Sequence, residues 1–182
     1  MSARSQFFYK VWHVLAWVIF LGLCIEAGGI VFNTAFTLFI NPIGASNFWE
    51  GLDLSALYKF SESRYVTVTV LMCIVSCLKA IMFYQIVSLF HRKKLDLRHP
   101  FNDAIKRCVE LIAYVALGVA FFGFWGEAVV RKIIEEDVSM PSVDELKFGG
   151  ADVWLFMGVV LLIFSSIFKR GIELQKENDL TV

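Results

Sequence analysis

Residues 11–34 of the chain read VWHVLAWVIFLGLCIEAGGIVFNT, and this stretch decides the fold class. Its apolar run is broken only by Glu26 and Asn33. A helix needs about 20 mostly apolar residues to cross a lipid bilayer. We therefore expect this stretch to form a membrane-spanning helix.

Three further apolar stretches follow, at residues 66–90, 109–130 and 153–168. The last is close to the minimum length for a crossing, but it carries no charge. The tails and connections are too short to bury a core of their own. The sequence thus predicts an all-α polytopic membrane protein, a four-transmembrane-helix bundle that forms a single integral-membrane domain over residues 1–182.

The composition indicates the same class of protein. Of the 182 residues, 58% are hydrophobic and 19% are charged, whereas soluble domains contain about 25% charged residues. These values exclude a soluble enzyme of average composition and a disordered chain. The 17 basic and 17 acidic residues cancel, so no overall basic field favours direct binding of nucleic acid.

The distribution of Lys and Arg predicts the orientation in the membrane. Basic residues concentrate in both tails and in the second connection, which includes Arg92, Lys93 and Lys94. Short loops rich in Lys and Arg stay in the cytoplasm. We therefore expect a multi-pass, N-in/C-in protein whose first and third connections face the other side.

Three ionisable residues fall within the apolar stretches: Glu26, Lys79 and Glu127. A charge at membrane depth costs about 2.5–3.5 kcal/mol, so it usually faces the bundle and has a partner. Glu26 shares a helical stripe with Asn33. Side chains lean toward the N-terminus of their own helix, so we expect the heads of Glu26 and Lys79 to converge, with Glu127 nearer the outer surface.

This intramembrane polar group has two interpretations. In the first, a Glu26–Lys79 ion pair fixes the register of two helices, with Glu127 at the outer rim or joining the pair. In the second, the group forms a proton- or cation-coupled site, or a pocket for a small polar ligand.

Signals for catalysis are weak in this sequence. It contains no H-E-x-x-H, P-loop or G-x-S-x-G motif. The three histidines fall at the predicted cytoplasmic margin, which argues against a bis-His haem in mid-membrane. We expect a protein that is not an enzyme and that has no catalytic residues, cofactor or metal.

The C-terminal residues 169–182 read KRGIELQKENDLTV, and a Pro100-Phe101 step precedes the third apolar stretch. In these features the chain resembles a family of small bacterial four-helix integral membrane proteins of unknown function, which typically end in K-R-G-x-E-L-Q-x-E-N-D-L-T-V. Genes of such families often lie beside one for a helix-turn-helix regulator. The resemblance implies the bacterial cytoplasmic (inner) membrane and a regulator of that kind as a partner, and it supplies no catalytic residues.

We expect two regions at the cytoplasmic end to bind a protein partner. One is the middle loop, with Arg92, Lys93, Lys94 and Phe101. The other is the C-terminal tail, which would otherwise pack as a solvated helix end beneath that basic loop. The tail residues are Glu173, Gln175, Glu177, Asn178, Asp179 and Leu180.

Three functions are compatible with the sequence. The leading one is a non-enzymatic sensor or a regulatory or accessory subunit, which engages a cytoplasmic protein or a larger membrane complex through its C-terminal tail and middle loop. The second is a small oligomeric transporter or channel that uses Glu26 and Lys79. The third is a membrane enzyme acting on lipid or quinone, which the lack of a nucleophile–base arrangement disfavours.

Overall fold

The computed structural model describes residues 3–91 and 103–179, with side chains for residues 10–89 and 103–177. Two short 3₁₀ turns, Pro42–Ala45 and Trp49–Gly51, lie in the first connection. The α-helices are α1 (Ala3–Phe39), α2 (Ser55–Phe60), α3 (Glu62–His91), α4 (Asp103–Ile134) and α5 (Ala151–Asp179).

Four of these helices are long and apolar enough to cross a membrane. The candidate spans are Lys10–Phe39, Glu62–Leu89, Asp103–Ile134 and Ala151–Glu177. The prediction of an all-α four-helix membrane bundle is confirmed. The helices are longer than the apolar stretches because they continue into polar sequence: α5 has 29 residues, or about 43 Å at 1.5 Å per residue.

The four long helices pack in chain order, each antiparallel to the next. As residue numbers rise along one helix, those of its contacts on the neighbour fall. The contacts that show this are Phe20–Tyr84 and Thr34–Cys73, Leu78–Gly118 and Gln85–Cys108, and Leu117–Gly158 and Gly123–Ala151. Within the described residues, no Cα of α1 lies within 8 Å of a Cα of α5, so the helix backbones form an open row.

The two ends of the bundle are built differently. The cap end, as we call it, carries the first connection (residues 40–61) and the third (residues 135–150). The tail end is the opposite one, where α3 and α5 finish. The core is concentrated at the cap end, where helix ends bury apolar residues of both connections: Phe48, Leu54, Leu57, Leu146 and Phe148.

The third connection runs back along α4 toward the tail end before α5 begins. Ala151, the first residue of α5, packs at Gly123, where an added Cβ would lie 3.1 Å from it. Helix α4 continues from there to Ile134, about 16 Å further at 1.5 Å per residue. The ring of Phe148 covers Gly126, where an added Cβ would lie 2.5 Å from it. The residues just before α5 are therefore inserted among the helices.

Candidate functional site: a charged cluster at the cap end

Two of the three charges predicted within the membrane, Glu26 and Lys79, meet at Lys147, a residue of the third connection. Its Nζ lies 3.4 Å from Oε2 of Glu26 on α1 and 3.1 Å from Oε2 of Glu50 in the first connection. Its backbone carbonyl accepts a hydrogen bond from Nζ of Lys79 at 3.2 Å. One loop residue thus joins both connections of the cap end to α1 and α3.

The local sequence holds Lys147 in this position. The flanking residues Leu146 and Phe148 are fully buried, so the loop is anchored on both sides of the lysine. The backbone of Lys147 has a left-handed φ of 65°. Just before the lysine, Oε2 of Glu145 accepts hydrogen bonds from N and Oγ of Ser142 at 2.8 and 2.7 Å. These bonds stabilise the turn that precedes Lys147.

The direct ion pair expected between Glu26 and Lys79 is not formed among the described residues. Glu26 pairs with Lys147 instead, and Lys79 bonds to the Lys147 backbone. The ammonium of Lys79 also lies 5.9 Å from the centroid of the Trp154 ring on α5, within the range of a cation–π contact. The lean of the two side chains predicts that the charged groups of Glu26 and Lys79 converge. It could not predict that the third connection places Lys147 between them.

The other two predicted polar residues make local contacts on their own helices. Nδ2 of Asn33 donates a hydrogen bond to the carbonyl of Gly29 at 2.8 Å, one turn earlier in α1. Glu127 pairs with Arg131 on α4, and its side chain is 28% exposed. The structure therefore brings Glu26 and Lys79 together with Lys147 and Glu50, and we call these four residues the charged cluster. Asn33 and Glu127 lie outside it.

The cluster extends from the interior to the surface of the cap end. The side chains of Glu26 and Lys147 are 23% and 21% exposed, whereas that of Glu50 is 61% exposed. Burial disfavours the charged form of Lys147, but the hydrogen bond to Glu50 and the charges of Glu26 and Glu50 outweigh it. Together they raise the pKa of Lys147 above its ordinary value.

Glu50 also faces a cleft of about 340 Å³ between the two connections, together with Asp53 and Glu145. Hydrogen bonds from Ser142 lower the pKa of Glu145, and hydrogen bonds from Ser55 lower the pKa of Asp53. The cleft is therefore acidic at neutral pH. In the described part of the chain, no group of three or more His, Cys, Asp or Glu side chains could hold a metal ion.

Trp49 of the first connection reaches α1 one turn from Glu26. A Cβ added to Gly29 would overlap the Trp49 ring, whereas nothing lies within 4 Å of a Cβ added to Gly28. Gly29, one turn from Glu26 on α1, must therefore be small because the Trp49 ring packs against it.

Residues 16–182 match the family described as "Protein of unknown function (DUF2975)". The chain belongs to the DUF2975 family. The match covers the whole charged cluster and the C-terminal tail of this DUF2975 protein. Comparison with curated proteins and with solved structures finds no match. The resemblance to an uncharacterised family is thereby confirmed, while the shared tail motif and the neighbouring regulator stay predictions.

At the tail end, the DUF2975 chain carries α5 well beyond the last apolar stretch. The predicted tail residues Glu173, Gln175, Glu177, Asn178 and Asp179 all lie in this helix. Ile172 is 7% exposed, whereas Leu174 is 47% exposed. The predicted residues Arg92, Lys93, Lys94, Phe101 and Leu180 lie outside the described residues.

Sequence reasoning missed Lys147 and Glu50 because both belong to connections that we expected to be too short to bury a core of their own. A signal was nevertheless present. Lys147 stands between Leu146 and Phe148, and Glu50 follows Trp49. Large apolar residues in a short loop tend to be buried, so Lys147, which lies between two of them, is held close to the helices.

Proposed function

We propose that this protein is a non-enzymatic membrane sensor or regulatory subunit, which receives a signal at the cap end and engages a protein partner at the tail end. The supporting observation is that α5 extends from the charged cluster to the tail end. Trp154, near the start of α5, contacts Lys79 of the cluster, and α5 continues to Asp179. A displacement at the cluster would therefore shift the tail as part of a rigid element.

The partner that we propose is a cytoplasmic regulator of helix-turn-helix type, or another subunit of a membrane complex. This proposal places the tail end in the cytoplasm, as the distribution of Lys and Arg predicts. The exposed Leu174 lies between Glu173 and Glu177 on the last turns of α5. A partner groove with an apolar floor and a basic rim would fit this helix.

A pull-down from native membranes tests the proposal. The full chain should retain a partner that a chain lacking residues 171–182 loses. Leu174→Ala should weaken the same interaction, because it removes the exposed apolar contact. Lys169→Ala is the matched control, since Lys169 is exposed on the same helix nearer the membrane. Identical partner sets for the full and shortened chains would reject a role for the tail.

A small transporter or channel is the second candidate. It is favoured by the position of Glu26, which is only partly exposed yet linked through Lys147 to the exposed Glu50. If the cluster carries ions, liposomes containing the protein should show a flux that Glu26→Gln abolishes. Glu110→Gln is the control, because Glu110 pairs with Lys106 outside the cluster. Equal flux in the wild type and Glu26→Gln would exclude this use of the cluster.

A further inference from the structure

A groove of about 200 Å³ opens between α3 and α4 at the tail end. Its polar lining comes from Tyr84, Gln85 and Ser88 on α3 and from Arg107 and Cys108 on α4. Sγ of Cys108 donates to the carbonyl of Gln85 at 3.6 Å, so the two walls are joined. The groove lies apart from the charged cluster and takes no part in the function proposed above.

The groove lies at the level where the apolar part of the bundle ends. On α4 and α5, Leu117 lies opposite Gly158 and Gly123 lies opposite Ala151. The same antiparallel register, continued toward the tail end, places Arg107 near the level of Phe168. Phe168 is the last residue before the polar part of α5. Tyr84, at the rim, is 48% exposed, and tyrosine is enriched at membrane–water interfaces.

Arg107 gives the groove a positive charge. The adjacent Lys106 lies 3.9 Å from Glu110, whereas Arg107 forms no ion pair with any residue that the structure describes. A guanidinium binds a phosphate through two parallel hydrogen bonds. The hydroxyl groups of Tyr84 and Ser88 and the amide of Gln85 can donate further hydrogen bonds. The lining therefore suits a phosphate group.

An apolar track continues from the groove toward the centre of the bundle. Ile81 on α3 and Leu111 and Tyr114 on α4 are exposed by 46%, 42% and 56%. Residues three or four apart share a helix face, so Ile81 follows Tyr84 on one wall and Leu111 follows Arg107 on the other. A phosphate site directly above an apolar track matches the two parts of a phospholipid.

We propose that this groove binds one anionic glycerophospholipid, with its phosphate on Arg107 and an acyl chain along Ile81, Leu111 and Tyr114. The headgroup charge and the chain are both part of the recognition. A zwitterionic lipid would place a cation close to Arg107, and free phosphate would leave the track uncovered.

Native mass spectrometry of the full chain in mild detergent, with added phosphatidylglycerol, tests the proposal. Arg107→Gln should reduce the bound phosphatidylglycerol by about tenfold, the effect expected for the loss of a charge-assisted contact. Lys169→Gln should retain it, because Lys169 is exposed at the same level but lies outside the groove. Phosphatidylcholine should bind more weakly than phosphatidylglycerol to the wild type.

Three results would overturn the lipid site. Equal losses in Arg107→Gln and Lys169→Gln would indicate a general attraction between basic residues and anionic lipid. Unchanged binding in Arg107→Gln would remove the proposed phosphate contact. Complete displacement of the lipid by inorganic phosphate would show that the apolar track contributes nothing.

Discussion

Lys147 links parts of the chain that are far apart in sequence. Its ammonium is shared between Glu26 and Glu50, and its carbonyl is the acceptor for Lys79. When one partner of the half-buried Glu26–Lys147 pair is removed, the remaining charge loses its compensation, and this cost exceeds the net contribution of the pair. The lysine is therefore the residue at which the cluster is most sensitive to substitution.

Lys147→Met should lower the free energy of unfolding by about 1 kcal/mol, because it leaves the half-buried carboxylate of Glu26 without its partner. Thermal or denaturant unfolding in detergent measures the change. Lys132→Met is the control, because Lys132 is an exposed lysine on α4 at the same end. Equal effects of the two substitutions would contradict the role assigned to Lys147.

The stability that Lys147 provides should also depend on pH in a defined direction. Its pKa is raised in the folded protein, so its charged form is favoured by folding. The stabilisation is fully present below the unfolded pKa of about 10.4 and is lost as the pH rises through the higher folded value. The difference in Tm between wild type and Lys147→Met should be constant near neutral pH and shrink above about pH 10.4. A difference that vanishes near neutral pH would show that another group is responsible.

At the scale of the helices and connections, the contact of Trp49 with α1 shows how the cap end is attached. The ring of Trp49 occupies the space above Gly29, and Phe148 does the same above Gly126. In both cases a large side chain from a connection packs on a glycine of a long helix. The connections are therefore held by specific contacts with the helices.

Gly29→Ala should destabilise the protein by about 1–3 kcal/mol, because the new methyl group forces the Trp49 ring out of its place. Gly28→Ala is a matched control on the adjacent residue, where a Cβ meets nothing within 4 Å. Alanine is the better helix former by about 1 kcal/mol, so Gly28→Ala should be neutral or stabilising. Similar Tm values for the two variants would show that Trp49 does not need the glycine.

The sequence predicts the four long helices because hydropathy is a local property. It misses α2 and the cap core, since these form only when residues of two connections meet the helix ends. In the same way, Glu26 and Lys79 stand out as charges in apolar runs. Lys147 and Glu50 do not stand out in this way: their large apolar neighbours are a local signal of burial, but the partners of the two charges are set by tertiary contacts.

At the scale of the whole molecule, the two ends have different constructions. The cap end has a buried core and a charged cluster. The tail end presents the last turns of α5 and the groove between α3 and α4. Because the two ends differ, the proposed function requires one orientation in the membrane. The distribution of Lys and Arg predicts that the tail end lies in the cytoplasm.

Cysteine labelling checks this orientation. The starting point is a chain in which the four native cysteines are replaced by serine. Ser139→Cys lies in the third connection and is exposed, so it should react with a membrane-impermeant maleimide in intact cells. Lys176→Cys, exposed on α5, should react only after permeabilisation. The reverse pattern would invert the predicted topology.

The open row of helices has a consequence for biogenesis. Each long helix packs on the one made just before it, so the membrane part can assemble during translation, helix by helix, without waiting for a distant partner. The contact between Glu26 and Lys147 is different, because it joins the first helix to a segment made after the third long helix. Until the ribosome has passed residue 147, Glu26 has no counter-charge from that segment, so the charged cluster can close only after the first three long helices have been made.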